Sequence, residues 1–258
     1  MMETNGKDII GMVHLKALPT APNHALDLDV IYKAALADLK ALEAGGITCA
    51  IVENMFDTPY THEPALDTLI SMTVLLTQLK AQTKMTLGLN IQATDGVEEM
   101  LVASYAGADF IRAESFVETR LTGGGVIRPM APALMREKKR LQSPVRVLAD
   151  INVKHSNPLI EQSIDDLIHE AIASGADGII LTGLATGNAP TVNDAKHFKT
   201  VCGSIPLYIG SGVNADNVAD LLTYADGTIV GSSIKREGKV DLPVDAARVR
   251  QLIKAVLD

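Results

Sequence analysis

The sequence predicts an α/β fold, a single (β/α)8 barrel over residues 1–258, from three observations. Eight short apolar runs rich in β-branched residues recur along the chain. Segments of helical period separate them in strict alternation, and no composition shift or linker divides the chain. Strands alternating with helices imply a parallel sheet covered by helices, and eight such units are the number that closes a barrel. An open, doubly wound sheet is the rival for the same alternation.

The runs are "DIIGMVHL" (8–15), "ITCAIVEN" (47–54), "KMTLGLNI" (84–91), "DFIRAES" (109–115), "VRVLADINVK" (145–154), "GIILTG" (178–183), "PLYIGSG" (206–212) and "GTIVGSS" (227–233). Helical periods fall at roughly 28–44, 62–82, 94–106, 131–142, 161–174, 191–202, 214–225 and 243–257. Several helix–strand turns, "EAGGI", "YAGAD", "ASGAD" and "YADGT", carry the glycine that ends a helix in a left-handed conformation and returns the chain to a strand.

Composition agrees. At 258 residues the chain has the length of an α/β barrel, and with aromatic residues at 3% and no Trp its core is left to Ala, Val, Ile, Leu and Met, the palette of buried parallel strands. The net charge is -8, with only "REKKR" (136–140) clustered and read as a solvated helix end, which argues against a nucleic-acid partner and a basic membrane face. No signal-type segment and no run of about 18 apolar residues is present, so a soluble, cytoplasmic protein without a transmembrane segment is expected. Cys49 and Cys202 read as separate reduced thiols. Barrels associate through their outer helices, so a homo-oligomer is expected by class.

Chemistry belongs at the carboxyl ends of barrel strands. In "VRVLADINVKH" the alternation sends Val145, Val147, Ala149, Ile151 and Val153 outward and Asp150, Asn152 and Lys154 inward. It also turns Asn90 inward on the third strand and Arg112 with Glu114 on the fourth. His14, Asn54 and Thr182 end the first, second and sixth strands. Glu53 shares the parity of Ile51, read as outward, and is retained because alternation weakens at strand ends. Any one Asn or Thr can simply bond a loop. Interior Asp, Lys, Arg and Glu together require partners or a water-filled cavity, which is an active-site expectation.

"IGSG" and "VGSS" end the seventh and eighth strands, whose following loops bind phosphate in many barrels. Backbone N–H groups of Gly210, Ser211, Gly212, Gly231, Ser232 and Ser233, with the serine hydroxyls, are expected to surround a phosphate, or else to form plain turns. Asn214 reads as the N-cap of the next helix. Lys235 either adds charge to the second cluster or is solvated.

"GMVHLKALPTAP" (11–22), "DINVKH" (150–155), "TGLATG" (182–187), "GSGVNADN" (210–217) and "DGTIVGSSIKREG" (226–238), in this order and spacing, resemble the BtpA/SgcQ family over essentially the whole chain. The resemblance implies a barrel similar to the ribulose-phosphate-binding group, with no settled reaction. Some relatives are associated with photosystem I biogenesis, and others lie beside phosphotransferase-type sugar uptake genes. Thr20 stands where the family usually has Gly, and "SFVETRLTGGGVIRP" (115–129) is divergent, which bears on substrate choice rather than fold.

The inward set suits proton transfer on a phosphorylated sugar or related metabolite. A carboxylate, Asp150 or Glu114, removes a proton beside a carbonyl, and Lys154 or Arg112 stabilises the enolate, as in an isomerase or epimerase. His14, Glu53, Asn54, Asn90, Asn152 and Thr182 are the remaining expected substrate contacts. A Schiff base on Lys154 is the aldolase alternative, and a non-enzymatic assembly or regulatory factor is the second class. His155 reads as outward and structural. "TGLATG" and "LTGGGVIRP" (121–129) each read as a lid or as a plain connection. No cofactor is expected. The six histidines show no metal-type spacing, while Mg²⁺ held through carboxylates stays open.

Overall fold

The computed structural model describes residue 4 and residues 6–94, 96–153, 156–182 and 190–257. Eight parallel strands close a barrel: β1 (Asp8–His14), β2 (Cys49–Glu53), β3 (Thr86–Asn90), β4 (Phe110–Ala113), β7 (Arg146–Ile151), β9 (Gly178–Leu181), β10 (Leu207–Ile209) and β11 (Gly227–Val230), in the order β1-β11-β10-β9-β7-β4-β3-β2. Closure between β1 and β11 excludes the open sheet. A helix follows each barrel strand: α1 (Leu28–Gly45), α2 (Leu66–Lys80), α3 (Glu98–Ala106), α4 (Ala131–Leu141), α5 (Ile164–Ala173), α6 (Val192–Cys202), α7 (Val218–Leu222) and α8 (Ala246–Leu257). Among the described residues, none of them is long and apolar enough to cross a membrane.

Three short strands were not anticipated. β5 (Arg120–Thr122) and β6 (Gly125–Ile127) form a hairpin in the β4–α4 connection, and β8 (Asn157–Pro158), from the β7–α5 connection, pairs with β5. The glycine-rich "LTGGGVIRP" is therefore an ordered antiparallel element, with Gly123 and Gly124 at its turn.

The barrel interior is filled by Ile10, Met12, Ile51, Phe110, Leu148, Ile180, Tyr208 and Ile229, while a larger apolar layer lies between strands and helices. Gly88 makes room for the Phe110 ring: a Cβ there would lie 2.3 Å from it. Ile51 belongs to this interior group, which corrects the parity read for β2. Glu53, two residues on, therefore faces inward by ordinary alternation and not by a loosened strand end.

The amino-terminal face carries a repeated device. Asp109, Asp177 and Asp226 precede β4, β9 and β11, and each accepts an amide N–H from the first or second residue of the preceding barrel strand, from Leu87 at 2.7 Å, Val147 at 2.8 Å and Leu207 at 2.8 Å. Lys80, Lys138 and Lys199, from the ends of α2, α4 and α6, neutralise them. The Asp of "AGAD", "SGAD" and "ADG" thus sets where a strand begins, alongside the glycine that ends the helix.

Candidate functional site

At the carboxyl ends of the barrel strands lies a cavity of about 870 Å³. Met12 and Ile229 form its apolar floor, and the next inward residues up the strands, His14, Glu53 and Arg112, stand on it as a polar layer. Strand alternation puts them there, because each lies two residues beyond an interior apolar side chain.

The layer is one network of hydrogen bonds and longer ion-pair contacts. Arg112 Nε and Nη2 donate to Oδ2 of Asp150 at 3.0 and 2.7 Å, and its Nη1 lies 3.9 Å from Glu53 Oε2. Asn90 Nδ2 donates to Glu53 Oε2 and to Glu114 Oε1, both at 3.1 Å. The Ala93 N–H donates to the other Glu114 oxygen at 3.0 Å. His14 Nε2 lies 3.9 Å from Glu53 Oε1.

Burial sets the charge states. Desolvation pushes the Glu53 and Asp150 carboxyls up to about 7 each, with Arg112 opposing and Glu114 reinforcing the shift. Burial, with the positive charge of Lys235 next in weight, pulls His14 down to about 3, so its imidazole is neutral. For Arg112, burial works against the charge, yet Asp150, Glu53 and Glu114 together hold it firmly protonated. A permanent cation thus sits among carboxylates, two of which titrate near neutrality.

Ser211 and Gly212 after β10 and Gly231, Ser232 and Ser233 after β11 form one rim of the cavity. Gly212 has φ +70°, the left-handed region that glycine enters without strain. Ser232 opens a one-turn 3₁₀ helix (Ser232–Ile234), whose first N–H groups have no intrahelical acceptor. The Ser233 hydroxyl donates to the Val213 carbonyl at 2.8 Å and ties the two loops together.

His14, Glu53, Arg112, Glu114 and Thr182 line the cavity with these rim residues. Four other expected residues lie off the cavity wall, and Gly210 lines it with its N–H already used. Asp150, fully buried, lies behind Arg112 and is absent from the cavity wall, where it holds the arginine. Asn90, also fully buried, joins two carboxylates beneath the surface. Asn54 accepts from the Gln92 N–H at 2.8 Å and donates to Asp57 at 2.9 Å, bracing the loop beside a separate pocket. Asn152 follows the end of β7 with φ +57°, and its side chain accepts from Arg120. The Gly210 N–H is spent on the Leu181 carbonyl at 2.8 Å, and a Cβ there would lie 2.6 Å from Ile180, so this glycine serves packing.

Lys154, His155 and residues 183–187 of "TGLATG" lie outside the described residues. Asn214 caps the turn before α7, whose own N-cap is Asn217. Lys235 is neither a rim charge nor solvated: it is buried, with Nζ 3.2 Å from Asp38 of α1. Among the described residues no group of three or more His, Cys, Asp and Glu could hold a metal ion.

Sequence reasoning missed the anchor of the hairpin. Arg120 and Glu118, both nearly fully buried, form an ion pair, and Glu118 accepts the Asn152 N–H at 2.6 Å. Arg120 also donates to the Val153 and Ser156 carbonyls at 3.2 and 3.1 Å. Tyr60 and Gln92, on the loops after β2 and β3, also line the cavity. Gln92 had a legible signal, two residues beyond the inward Asn90; Tyr60 had none.

A model of the BtpA family matches residues 5–258. The chain is similar to an uncharacterized protein of Archaeoglobus fulgidus, 37% identical over 249 residues that cover 96% of this chain and 98% of that one. It is also similar to the photosystem I biogenesis protein BtpA of Synechocystis sp., 35% identical over 252 residues, 97% of this chain and 88% of that one. Among solved structures, phosphoribosyl anthranilate isomerase from Thermus thermophilus matches with TM-score 0.60 at 12% identity, covering 97% and 98% of the two chains. Thiamine phosphate pyrophosphorylase from Pyrococcus furiosus matches with TM-score 0.57 at 16% identity, covering 98% and 97%. At such identities the likeness shows the barrel fold alone.

Proposed function

The chain belongs to the BtpA family, and from the geometry of its site we propose that it is an enzyme acting on a small phosphorylated metabolite by proton transfer, of the isomerase or epimerase kind. The observation that carries this reading is the single Asn90 amide holding Glu53 and Glu114 side by side, 3.1 Å from each, with Arg112 beside them on the cavity floor. Two adjacent carboxylates next to a fixed cation are what removal and return of a proton beside a carbonyl require.

Glu53 is the base. Held near 7 by burial, its carboxyl exists in both protonation states at neutral pH, so it can take a proton and give it back. Electrons released from the C–H bond move to the carbonyl oxygen, where Arg112 meets the developing charge. Glu53 returns that proton at the neighbouring carbon, and Glu114, whose second oxygen is fixed by the Ala93 N–H, is placed to carry the hydroxyl proton from one substrate oxygen to the other. Neutral His14 serves as a hydrogen-bond donor or acceptor. Ser211, Gly212, Ser232 and Ser233, which follow strands opposite β3 and β4 in the barrel order, receive the phosphate.

The aldolase alternative rests on Lys154, which lies outside the described residues. The docking alternative draws on the name of the Synechocystis relative and on Leu66, Ile70 and Val74, exposed at i, i+4 and i+8 of α2. A second copy of the chain covering this stripe would make the homo-oligomer; Ile70→Glu, followed by light scattering, tests it.

The test of the enzyme reading is incubation of the protein in D₂O with phosphorylated aldoses and ketoses, followed by NMR. Deuterium is expected to enter beside the carbonyl of a phosphorylated compound, and Glu53→Gln to stop it while binding, read by thermal shift, persists. Undiminished exchange in the variant, or no phosphorylated compound bound by the wild type, overturns the reading.

A further inference from the structure

The cavity is larger and more divided than a bare sugar phosphate requires. Sites of roughly 300–1,000 Å³ house ligands of drug size, and about 870 Å³ lies near the top of that range. Its polar groups occupy only part of the wall. The Gly/Ser rim stands after β10 and β11, and the carboxylate–arginine layer is on the floor. Across the barrel, two to four strands away from the rim, the wall changes character.

There Met55, Pro59 and Tyr60 from the β2–α2 connection, Ala93 from the β3–α3 connection and Ile127 from the hairpin present an apolar surface. The Tyr60 hydroxyl donates to the Met55 carbonyl at 2.6 Å, so its polar end is satisfied and its ring is left as wall. Met55 contributes a polarizable, adaptable side chain. Gly123 and Gly124 at the hairpin turn also border this end without filling it. The surface is held in place: Thr122 Oγ1 lies 3.4 Å from His62 Nε2, and His62 Nδ1 lies 3.0 Å from the Ala93 carbonyl.

We propose that the substrate is a phosphate ester whose reacting sugar portion carries a planar, largely apolar group, the phosphate lying at the Gly/Ser rim, the sugar over Glu53 and Arg112, and the planar group against Met55, Tyr60 and Ile127. This rests on the phosphate-anchored reading above and narrows it from sugar phosphates in general to aryl- or heterocycle-bearing ones. Pro59, Tyr60 and the hairpin are then specificity elements, and the apolar surface favours packing of a ring over hydrogen bonding.

The experiment is calorimetric titration of the wild type and of Tyr60→Ala with four probes: ribose 5-phosphate, and 5-phosphoribosyl compounds bearing a phenyl, a pyrimidine or a purine group at C1. At least one ring-bearing probe is expected to bind about tenfold or more tightly than ribose 5-phosphate. Tyr60→Ala is expected to erase most of that difference while leaving ribose 5-phosphate binding unchanged. Met55→Ala, at the same wall, gives a second reading should Tyr60→Ala fold poorly. Equal binding of bare and ring-bearing probes, or equal losses for both in the variants, overturns the inference and leaves phosphate anchoring intact. Binding of none of the four overturns both.

Discussion

Arg112 stands between Asp150 and the cavity, with Nε and Nη2 both donating to one carboxylate oxygen of the aspartate, at 3.0 and 2.7 Å. Asp150 therefore acts through the arginine. Asp150→Asn keeps an acceptor but removes a negative charge that raises the Glu53 pKa, so the acidic limb of the pH–rate profile is expected to move to lower pH. Arg112→Lys cannot reproduce the two-pronged contact and is expected to lower turnover more than Asp150→Asn does. Rates measured from pH 5 to 9 check both; an unmoved acidic limb in Asp150→Asn would separate Asp150 from Glu53 electrostatically.

Stability should fall as the solution is made alkaline across neutrality. Glu53 is raised from 4.5 to about 7 and Asp150 from 3.8 to about 7, so between those limits the folded state binds protons that the unfolded state has released. Their contribution is present below the unfolded values and lost as pH rises through about 7. His14, lowered from 6.5 to about 3, works in the opposite sense between those values, since there the unfolded chain binds the extra proton. Below about 6.5 it offsets one carboxylate; above that nothing in the trio opposes them. The expected slope is steepest just below pH 7, at about 1.4 kcal/mol per pH unit for each unmatched proton. Urea denaturation from pH 5 to 8 measures it, and Glu53→Gln should flatten it.

Gly212 is an exposed residue of the Gly/Ser rim and has φ +70°. Gly212→Asp adds a negative charge where the ligand brings one, and Asp enters the left-handed region more readily than most side chains. The fold is expected to survive with a loss of about 1 kcal/mol, while the thermal shift produced by sugar phosphates or inorganic phosphate disappears. A retained shift would move the phosphate away from this rim.

The barrel was legible because its signal is periodic: eight apolar runs and eight helical segments leave few alternatives, and closure follows from their number. The polar layer was legible for the same reason, since His14, Arg112 and Glu114 obey strand alternation. What failed were two residues past strand ends, although Glu114 and Thr182, also past theirs, do line the cavity. Asn54 and Asn152 lie where a loop has taken over the backbone, and Asn152 has φ +57°, which turns its side chain toward Arg120. Depth was also illegible. Alternation tells inward from outward but not depth, so Asp150 and Asn90 were expected at the cavity surface when they lie one layer behind its wall. The hairpin was hidden by its length, three residues per strand, and by glycines that read as loop.

That hairpin depends on one buried ion pair, which supplies a prediction independent of any substrate. Arg120 and Glu118 are 2% and 3% exposed, and Arg120 also bonds the Asn152 side chain and two backbone carbonyls that follow β7. Arg120→Met leaves Glu118 buried without its counter-charge and those carbonyls without their donor. Loss of one partner of a buried pair costs about 3–5 kcal/mol, far more than loss of a surface pair. The double variant Arg120→Met, Glu118→Leu removes both charges and should recover much of that loss. If the pair fastens the hairpin, the single variant is also cut faster by protease between residues 121 and 127, next to the cavity wall, while the barrel strands stay protected. Urea denaturation and limited proteolysis of both variants read the two effects separately. A single variant as stable as the wild type would mean that the hairpin is held by its strand pairing with β8 and not by the charges beneath it.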